Sequence, residues 1–478
     1  MSDAWEPVIG LEVHVQLQTR SKMFSSSACV FGAEPNTLTD PLVLGLPGAL
    51  PVPNREAFRL AIRAGLALGG EIAEITHFCR KHYFYPDLPK GYQISQEDAP
   101  LIRGGFIEVP SGRRIGITRA HLEEDAGKTL HPPGADVSLI DLNRCGVPLL
   151  EIVSEPEIHD PLEAVAFLEA LKLLMRHMEV SECDMEKGSL RVDVNVSLRP
   201  RGSARQGVRT EVKNLNSFKA VERALRHEIE RHARILKEGG DLQRETRLWD
   251  DERGESRLMR RKEMIEDYRY LSEPDIPPLR VPRAWVEEIR SEMPEAPRER
   301  LSRYQREMGL SAYDAEIVTR EPAVCRYFEA VASRCGDPKT AVNWITSHLF
   351  ALKKPENRNP LPSNVPAEAL GDLIRMVQAG RVTTSGARRI LEAMHATGES
   401  PEVLLGRLGL ERISDEAILA EIVREAMRER ADAVREVRAG KTKAMGALVG
   451  FVMSRTSGRA DPEVVERLIR RIMEESGR

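Results

Sequence analysis

The sequence lacks the features that mark several common classes of protein. Only six of its 478 residues are cysteine and 5% are aromatic, and the cysteines form neither a Cys-x-x-Cys pair nor a zinc-finger spacing with histidine. A disulfide scaffold is therefore excluded, and free thiols in a reducing compartment are expected. No apolar run approaches the ~18 residues that a membrane-spanning helix needs. The first residues also lack the basic and apolar segments of a secretory signal, so we expect a soluble, cytoplasmic protein that does not enter a membrane.

The charge balance excludes one class of nucleic-acid protein. Lysine and arginine number 70, and aspartate and glutamate number 74, which gives a formal net charge of −4. A protein that coats DNA without sequence preference needs a basic surplus to neutralise phosphates, so DNA is not expected as a partner. A local RNA site is compatible with this balance. The length predicts about three domains, at roughly 150 residues each.

Two changes of composition divide the chain. Residues 10–271 alternate apolar and polar residues in the manner of strands, and a cluster of prolines begins at Pro274. The sequence beyond is mostly helical, and a second break rich in proline and asparagine runs from Pro355 to Pro366. We therefore predict an α+β domain over residues 1–290, an all-α helical domain over 291–400 and an all-α tail domain over 401–478.

Two helices of the first domain are signalled by their ends. Asp160 is a good N-cap residue, Pro161 suits the first helical position, and apolar residues recur from Leu162 at helical spacing. Ser217 is a second N-cap candidate, and Gly239-Gly240 would end the helix that it begins. Strands on both sides of these helices predict an α+β fold rather than an alternating parallel one.

Three predicted strands carry distinctive side chains on one face. Because strand side chains alternate with a period of two, the segment Ile9–Gln18 places apolar residues on one face and Glu12, His14 and Gln16 on the other. A hairpin is predicted to join the next two strands, Leu190–Arg199 and Val208–Lys213. Their polar faces carry Arg191, Asp193, Asn195, Ser197, Arg199, Arg209, Glu211 and Lys213.

These polar faces admit two interpretations. A sheet with one face in water would alternate in the same way with any polar residues. The residues here are mostly oxygen and imidazole ligands, however, and carboxylates on neighbouring strands repel each other unless a cation lies between them. Hard ligands of this kind suit magnesium that holds the phosphates of a nucleotide.

Two further acidic segments could join this set. The three acids Glu123–Asp125 follow another alternating segment, and Glu151 stands alone in the apolar run 149–153. A lone carboxylate there is costly to bury unless it is paired or bound to a metal. A partner in the core, either Arg144 or Arg119, is the alternative to a metal.

Several long motifs resemble those of one known family. They are Val8–Val15, Arg80–Asp87, His121–Lys128, Asp141–Pro156, Gly188–Asp193 and Lys213–Phe218. Together they are similar to the B subunits of the bacterial aspartyl/glutamyl-tRNA(Asn/Gln) amidotransferases, the GatB/GatE family, and the resemblance covers residues 7–475. The segment Gly440–Gly450 is similar to the helical tail domain of that family, which is associated with tRNA binding.

The resemblance implies a reaction, a fold and partners. ATP would phosphorylate the side-chain carboxylate of a glutamate or aspartate mischarged on tRNA, and ammonia would displace the phosphate to give the amide. The first domain would be a cradle with a curved antiparallel sheet, similar to the glutamine synthetase and guanidino kinase group, which holds metal and nucleotide on its concave face. The chain has no recognisable glutaminase motif. Ammonia would therefore come from the amidase, or A, polypeptide of a heterotrimer whose third member is a small C polypeptide.

The same resemblance implies roles for individual residues. The residues that match both catalytic positions and metal ligands are Glu12, His14, Glu124, Asp193 and Glu211. Further metal-ligand positions fall on Glu123 and Glu151. The cofactor-binding positions, for ATP and Mg²⁺, fall on Arg119, Arg191, Lys213, Lys90, Tyr92 and Gln93.

One motif of many family members is missing. A Cys-x-Cys and a later Cys-x-x-Cys bind zinc in those relatives, and the matching positions here are Ser25, Ser27, Asp40 and Val43. Zinc is therefore not expected, and residues 22–48 must be held by other packing.

Two other functions stay open from the sequence. A tRNA-binding scaffold would have structural carboxylates and leave catalysis to a partner, but it has no need of a shared ligand face. A two-metal nuclease would use similar carboxylates and would cut RNA instead of consuming ATP. The sequence does not determine whether Glu-tRNA(Gln), Asp-tRNA(Asn) or both are the substrates.

Overall fold

The computed structural model describes residues 4–132, 134–261, 268–352, 361, 363–413, 415–439 and 441–475. The chain forms two compact units, Met1–Pro297 and Arg298–Arg478. Most of the predicted break at Pro355–Pro366 lies outside the described residues, and so does Gly440 of the tail motif. The finer division into domains at residues 290 and 400 stays a prediction.

The first unit combines one large sheet with helices. Its strands are β1 (Trp5–Gln16), β2 (Glu71–Ile72), β3 (Ile75–Thr76), β4 (Cys79–His82), β5 (Tyr92–Ser95), β6 (Ile102–Arg103), β7 (Phe106–Glu108), β8 (Arg114–Glu124), β9 (Lys128–Leu130), β10 (Leu139–Asp141), β11 (Pro148–Ser154), β12 (Leu190–Pro200), β13 (Thr210–Leu215), β14 (Glu245–Asp250), β15 (Glu255–Arg261), β16 (Leu271–Ser272) and β17 (Leu279–Arg280). Its helices are α1 (Arg55–Ala67), α2 (Pro161–His177), α3 (Phe218–Lys237) and α4 (Arg283–Ser291).

The strand order places β1 in the middle of the large sheet. The order in the described residues is β15-β14-β13-β12-β1-β11-β8-β6-β2, and β7 also pairs with β8. β1 is hydrogen-bonded to β11 on one side and to β12 on the other. Small sheets of two or three strands, β10-β9, β16-β4-β5 and β17-β3, complete the unit.

One strand pair corrects the prediction of an antiparallel sheet. The hairpin between β12 and β13 is antiparallel and is confirmed, but β13 and β14 run parallel. The reason is their connection, because α3 lies between them in the chain and packs on β12, β13 and β15. A parallel pair needs a crossover of this kind. The sheet is therefore mixed, and the α+β character of the first unit is confirmed at this coarser level.

The apolar face of β1 anchors the sheet to the core. Ile9, Leu11, Val13 and Val15 are at most 1% exposed, and they belong to one core with apolar residues of α1, α2 and α3. Burial of each such side chain contributes roughly 1.5–3 kcal/mol. A slip of one residue would turn all of them outward. The buried face therefore fixes which way the polar residues of β1 point.

The two predicted N-caps are confirmed. The Asp160 carboxylate accepts a hydrogen bond from the Leu162 amide at 2.7 Å, and the Ser217 hydroxyl accepts one from the Ala220 amide at 3.0 Å. The prediction that Leu162 begins the apolar face of α2 is wrong, because its side chain is 55% exposed. Pro161 and Ala164 occupy the buried positions of the first turn instead.

The second unit is helical in its described residues. Its helices are α5 (Pro297–Arg306), α6 (Ala312–Thr319), α7 (Pro322–Cys335), α8 (Pro338–Asn343), α9 (Ala367–Gln378), α10 (Thr384–Thr397), α11 (Pro401–Leu408), α12 (Glu416–Glu429), α13 (Ala431–Arg438), α14 (Met445–Arg455) and α15 (Pro462–Glu475), with a π-helical segment at Trp344–Leu349 and short 3₁₀ segments at Phe350–Leu352 and Thr442–Ala444. One apolar core joins α5 to α11, and another joins α12, α14 and α15. No helix in the described parts of the chain is long and apolar enough to span a bilayer.

Candidate active site

Five adjacent strands bring the predicted polar faces together. Across β1 and β12, Glu12 lies opposite Asp193 and His14 lies opposite Arg191. Across β1 and β11, His14 lies opposite Glu151. Directly opposed residues point to the same face of a sheet. The strands β8, β11, β1, β12 and β13 therefore share one face that is rich in ligands.

The first group of ligands on this face, here called the histidine cluster, contains His14, Glu123 and Glu151. One ligand atom of each lies within 4.8 Å of the other two. His14 Nε2 is 3.4 Å from Glu151 Oε2 and 3.6 Å from Glu123 Oε1. A further imidazole, that of His121, places its Nε2 3.7 Å from Glu151 Oε2. Glu151 is thus paired with imidazoles in this part of the sheet.

Burial and mutual charge set the pKa values of the histidine cluster. Burial, together with the charge of Glu151, raises the pKa of Glu123 to about 7. Burial also opposes ionisation of Glu151, but its interactions with His121 and His14 hold its pKa well below the usual range. Burial lowers the pKa of His121 to about 4. Neighbouring carboxylates whose pKa values are driven apart are typical of functional sites.

The second group, here called the oxygen cluster, contains Glu12, Asp193 and Glu211, again with ligand atoms within 4.8 Å of one another. Asn195 Nδ2 donates to Glu12 Oε1 at 2.8 Å, and Thr246 Oγ1 donates to Glu211 Oε2 at 2.9 Å. Burial first, and then the charges of Glu151 and Glu211, raises the pKa of Glu12. Neutral donors therefore orient the carboxylates of Glu12 and Glu211.

A lysine of the chain itself, Lys213, lies between two of these carboxylates. The Lys213 ammonium contacts the Asp193 carboxylate, and its Nζ lies 2.9 Å from Glu211 Oε1. Burial lowers the pKa of Lys213, but the charges of Asp193 and Glu211 outweigh that effect and raise it above its ordinary value. Lys213 was expected beside phosphates, and the structure places it among the carboxylates.

Two register shifts lie along the shared face, and the first decides which side chains of β8 reach it. The pairing of β8 with β11 shifts between Val153 and Ser154, and one extra residue on β8 reverses its alternation. Glu123 therefore faces His14, whereas simple alternation from Ile115 and Ile117 would have turned it into the core. A second shift, between Val192 and Val194 of β12 and the facing strand β13, lies beside Asp193 and Lys213.

Glu124 lies apart from both clusters. Its Oε1 accepts a hydrogen bond from the Ile94 amide at 2.9 Å and contacts the Lys90 ammonium. Gln93 Nε2 donates to the backbone oxygen of Glu124 at 2.7 Å, and Lys90 Nζ lies 5.4 Å from the centre of the Tyr92 ring. Lys90, Tyr92, Gln93 and Glu124 thus form a group of their own, because consecutive strand residues point to opposite faces.

The two arginines predicted beside phosphates have different partners. Arg191 Nη1 and Nη2 lie 2.8 and 2.9 Å from the two oxygens of Asp125, and Gln16 Nε2 donates to the same carboxylate at 2.7 Å. Arg119 Nη2 lies 3.3 Å from the Glu97 carboxylate. The alternative that Arg119 neutralises Glu151 is therefore wrong.

Arg144, the other proposed partner of Glu151, is also placed elsewhere. Its Nη2 donates to the Gly127 oxygen at 2.6 Å, and its Nε donates to the Ala126 oxygen at 2.9 Å. Its nearest carboxylate is that of Asp125, at 3.7 Å. Arg144 thus supports the turn after β8 and leaves Glu151 to the histidines.

Sequence reasoning missed two residues that the fold brings to the site, His121 and Lys81, whereas Asp125 was among the acids that it named. His121 lies two residues before Glu123, so a period of two counted back from Glu123 would have found it. Lys81 of β4 comes from a distant segment, so no local spacing signals it. Burial lowers the pKa of Lys81, but the charge of Glu123, with that of Glu151 among others, raises it overall.

Two of the positions that match the missing zinc motif, Asp40 and Val43, are joined by a hydrogen bond. Asp40 Oδ1 accepts one from the Val43 amide at 2.9 Å. Lys22, which is 1% exposed, donates from Nζ to the Leu38 oxygen at 2.7 Å and to the Leu142 oxygen at 3.3 Å. A buried ammonium bound by backbone oxygens thus ties this loop to residue 142.

Comparison with known proteins identifies the family. The model of the GatB/GatE catalytic domain matches residues 7–287, and that of the GatB domain matches residues 326–473. The chain belongs to the GatB/GatE family, as its motifs predicted.

Relatives that are 44–47% identical cover almost its whole length. The B subunit of the aspartyl/glutamyl-tRNA(Asn/Gln) amidotransferase of Moorella thermoacetica is 47% identical over 471 residues, which cover 98% of this chain and 99% of that relative. The B subunits of the same name from Persephonella marina and Halorhodospira halophila are 44% and 45% identical, and each covers at least 98% of the chain and 99% or more of its own length.

Proposed function

We propose that this chain carries the ATP-dependent step of a tRNA-dependent amidotransferase. Its substrate would be the side-chain carboxylate of glutamate on tRNA(Gln), of aspartate on tRNA(Asn), or of both. A carboxylate oxygen forms a bond to the terminal phosphorus of ATP while the bond to ADP breaks. The nitrogen of ammonia then bonds to the carboxyl carbon, and phosphate leaves.

The pair of adjacent clusters is the observation that carries this proposal. Glu12 and His14 are two residues apart on β1, so the clusters lie about 7 Å apart along the strand. Phosphoryl transfer depends mainly on positioning and on neutralisation of charge, and such a pair of sites serves both needs. The arrangement also agrees with a likeness to the glutamine synthetase and guanidino kinase group, which we include in the proposal.

The residues present fit magnesium. The oxygen cluster offers three carboxylates, and the buried Asn195 Oδ1 beside them has no hydrogen-bond partner among the described residues. An amide oxygen is a ligand of the same hard type. Glu12, Asp193 and Glu211 would hold one ion, and His14, Glu123 and Glu151 would hold another. Bound magnesium would supply neutralisation of charge on the phosphate oxygens.

The remaining residues have proposed roles that follow from their positions. Arg191, held by Asp125 at the edge of the histidine cluster, would bind phosphate oxygens, and Arg119 would add positive charge beside it. Glu124, with Lys90, Tyr92 and Gln93, would form a separate wall of the site. The side chains of Lys90 and Glu124 are 10% and 3% exposed, so this proposed wall is largely covered by protein.

The proposed partners follow from what the chain would need. Ammonia would come from an amidase polypeptide, with a small third polypeptide completing a heterotrimer, and the mischarged tRNA would bring the carboxylate. The tail, residues 401–478, would bind the tRNA.

One observation favours the scaffold alternative, since Lys213 already compensates the oxygen cluster as a structural ion pair would.

The decisive experiment is ATP cleavage by the chain co-expressed with its proposed partners. Cleavage should rise only when mischarged Glu-tRNA(Gln) or Asp-tRNA(Asn) is added. Glu12→Gln should abolish it without loss of tRNA affinity, because the variant loses a ligand charge on the shared face. Absence of cleavage from a folded wild-type complex that binds tRNA would leave the scaffold alternative.

Glu6→Gln is the matched control. Glu6 lies on the same strand and pairs with Arg199 of β12 at 2.8 Å, so the variant breaks a cross-strand ion pair outside the two clusters. It should cleave ATP at the wild-type rate. Equal losses in Glu6→Gln and Glu12→Gln would indicate damage to the sheet rather than to a site.

A further inference from the structure

The ammonium of Lys213 and a metal ion would compete for the same oxygens. Lys213 Nζ contacts Asp193 and lies 2.9 Å from Glu211 Oε1, and both carboxylates belong to the oxygen cluster. A protonated lysine has three donors and no lone pair, so it cannot act as a ligand. Its positive charge also repels a second cation placed at hydrogen-bond distance. A metal ion can therefore enter this cluster only if the ammonium leaves.

No ammonium or guanidinium group of the described residues lies within 4 Å of the carboxylates of the histidine cluster, although the charge of Lys81 acts on Glu123 and Glu151 from beyond that distance. The basic groups within 4 Å of its carboxylates are the imidazoles of His14 and His121. A neutral imidazole offers a lone pair to a metal ion, so His14 can stay in place as a ligand. The two clusters thus differ in how readily each accepts a metal ion.

The backbone beside Lys213 is irregular on the side that faces β12. The bulge between β12 and β13 falls beside it, and the next residue, Asn214, has a positive φ of 66°. The lysine side chain has four methylene groups and a compact charge, which suit it to exchange one anion for another. The side chain is 32% exposed, so it borders the open face where a phosphate would lie.

We propose that Lys213 is a built-in counter-ion that makes metal binding at the oxygen cluster depend on a bound nucleotide. Without nucleotide, the ammonium neutralises Asp193 and Glu211 and excludes the metal ion. When a nucleoside triphosphate binds, its phosphate oxygens accept the ammonium, and the vacated carboxylates take the ion. The inference rests on the proposed function, and it adds an order of binding, with the histidine cluster filled first.

The test counts bound Mn²⁺ on the full chain by the paramagnetic resonance of the free ion. Wild type should bind one Mn²⁺ without nucleotide. With β,γ-methylene-ATP it should bind a second Mn²⁺ at least tenfold more tightly than it does without the analogue, after correction for the ion that the analogue binds alone. Lys213→Met should bind the second ion without the analogue, at least tenfold more tightly than wild type. Lys213→Arg, which keeps the charge, should behave like wild type.

Lys187→Met is the control, because Lys187 forms a Lys–Glu pair of 2.8 Å with Glu182 at the surface. It should leave the number of bound ions unchanged. Two Mn²⁺ sites of equal affinity in wild type without nucleotide would overturn the inference. Failure of Lys213→Met to bind the second ion more tightly than wild type would also overturn it, and Lys213→Gln replaces that variant if it unfolds. ATP cleavage is measured separately, so a working kinase with nucleotide-independent metal sites would refute this inference while leaving the proposed function intact.

Discussion

Asp125 accepts two hydrogen bonds from the guanidinium of Arg191, at 2.8 and 2.9 Å, although 66 residues separate them in the chain. Asp125 is 2% exposed, and the positive charge of Arg191, with that of Arg144 and the hydrogen bond from Gln16, lowers its pKa in spite of burial. The carboxylate thus stays ionised and fixes the arginine on the shared face. Arg191 lies opposite His14, so the pair sets the position of a positive charge beside the histidine cluster.

The first prediction concerns this pair. Asp125→Asn should lower the rate of tRNA-dependent ATP cleavage by about 10–100-fold, the usual effect of removing a group that orients a ligand or a charge. If Asp125 acts only through Arg191, the double variant Asp125→Asn/Arg191→Gln should be no slower than Arg191→Gln. Additive losses would contradict the positioning role, and a crystal structure of Asp125→Asn should show Arg191 displaced. The control is Asp372→Asn, which removes a similar two-contact arginine pair, with Arg334 at 2.7 and 3.1 Å, from the second unit.

A second prediction separates two consecutive acids. Glu123→Gln should weaken Mn²⁺ binding by tenfold or more, because the carboxylate of Glu123 lies in the histidine cluster. Glu124→Gln should leave Mn²⁺ binding unchanged, because its carboxylate lies with Lys90 and the Ile94 amide. Titration of the full chain with Mn²⁺ measures both. Loss of binding in Glu124→Gln alone would reverse the assignment.

A third prediction concerns the dependence of stability on pH. Burial, with the charge of Arg231, lowers the pKa of His232 to about 4, and the unfolded chain has an ordinary value near 6.5. The unfolded state therefore takes up a proton first as the pH falls, and His232 alone lowers stability by about 1.4 kcal/mol per pH unit between pH 6.5 and 4, in addition to the similar contribution of His121. His232→Gln should lose that part of the slope, measured as the difference in urea midpoint between pH 7 and pH 5.

The groups around His232 determine the pH range in which this measurement reports on His232. Its Nε2 lies 2.8 Å from Thr210 Oγ1 and 3.6 Å from Glu228 Oε2, and the charges of Glu245 and Arg247 also act on it. The pKa of Glu228 is lowered as well, so Glu228 adds acid sensitivity only below its ordinary value near 4.5. A His232→Gln slope equal to that of wild type above pH 5 would show that another group is responsible.

The fourth prediction tests the start of α3. Ser217→Ala removes the acceptor of the Ala220 amide and should lower the free energy of unfolding by about 1 kcal/mol. Ser217→Asn keeps an N-cap acceptor and should stay close to wild type. Thermal unfolding followed by circular dichroism compares the three proteins, and equal melting temperatures would show that the cap contributes nothing.

The sequence predicted those parts of the site that depend on local periodicity. The faces of β1 and β12 could be assigned because a strand alternates strictly with a period of two, and apolar residues mark the buried side. The two N-caps also follow from local chemistry. Metal-ligand candidates on these strands therefore emerged without knowledge of their distant partners.

The rest depends on long-range pairing that no local pattern reveals. Opposite Val153 and Ser154 of β11, one extra residue on β8 reverses the alternation of that strand. Glu123, rather than Glu124, therefore meets His14. The partners Asp125 of Arg191 and Thr246 of Glu211 lie 66 and 35 residues away. The parallel pair of β13 and β14 likewise depends on how α3 crosses the sheet.

The position of β1 has a consequence for how the site tolerates change. Glu12 serves one cluster and His14 the other, so their separation is set by the pleat of a single central strand that is hydrogen-bonded on both edges. The backbone of such a strand is rigid, so side-chain motion changes the separation of Glu12 and His14 little. An insertion or deletion within β1 would disable both clusters together. A shift of the strand would likewise change the geometry of both clusters at once.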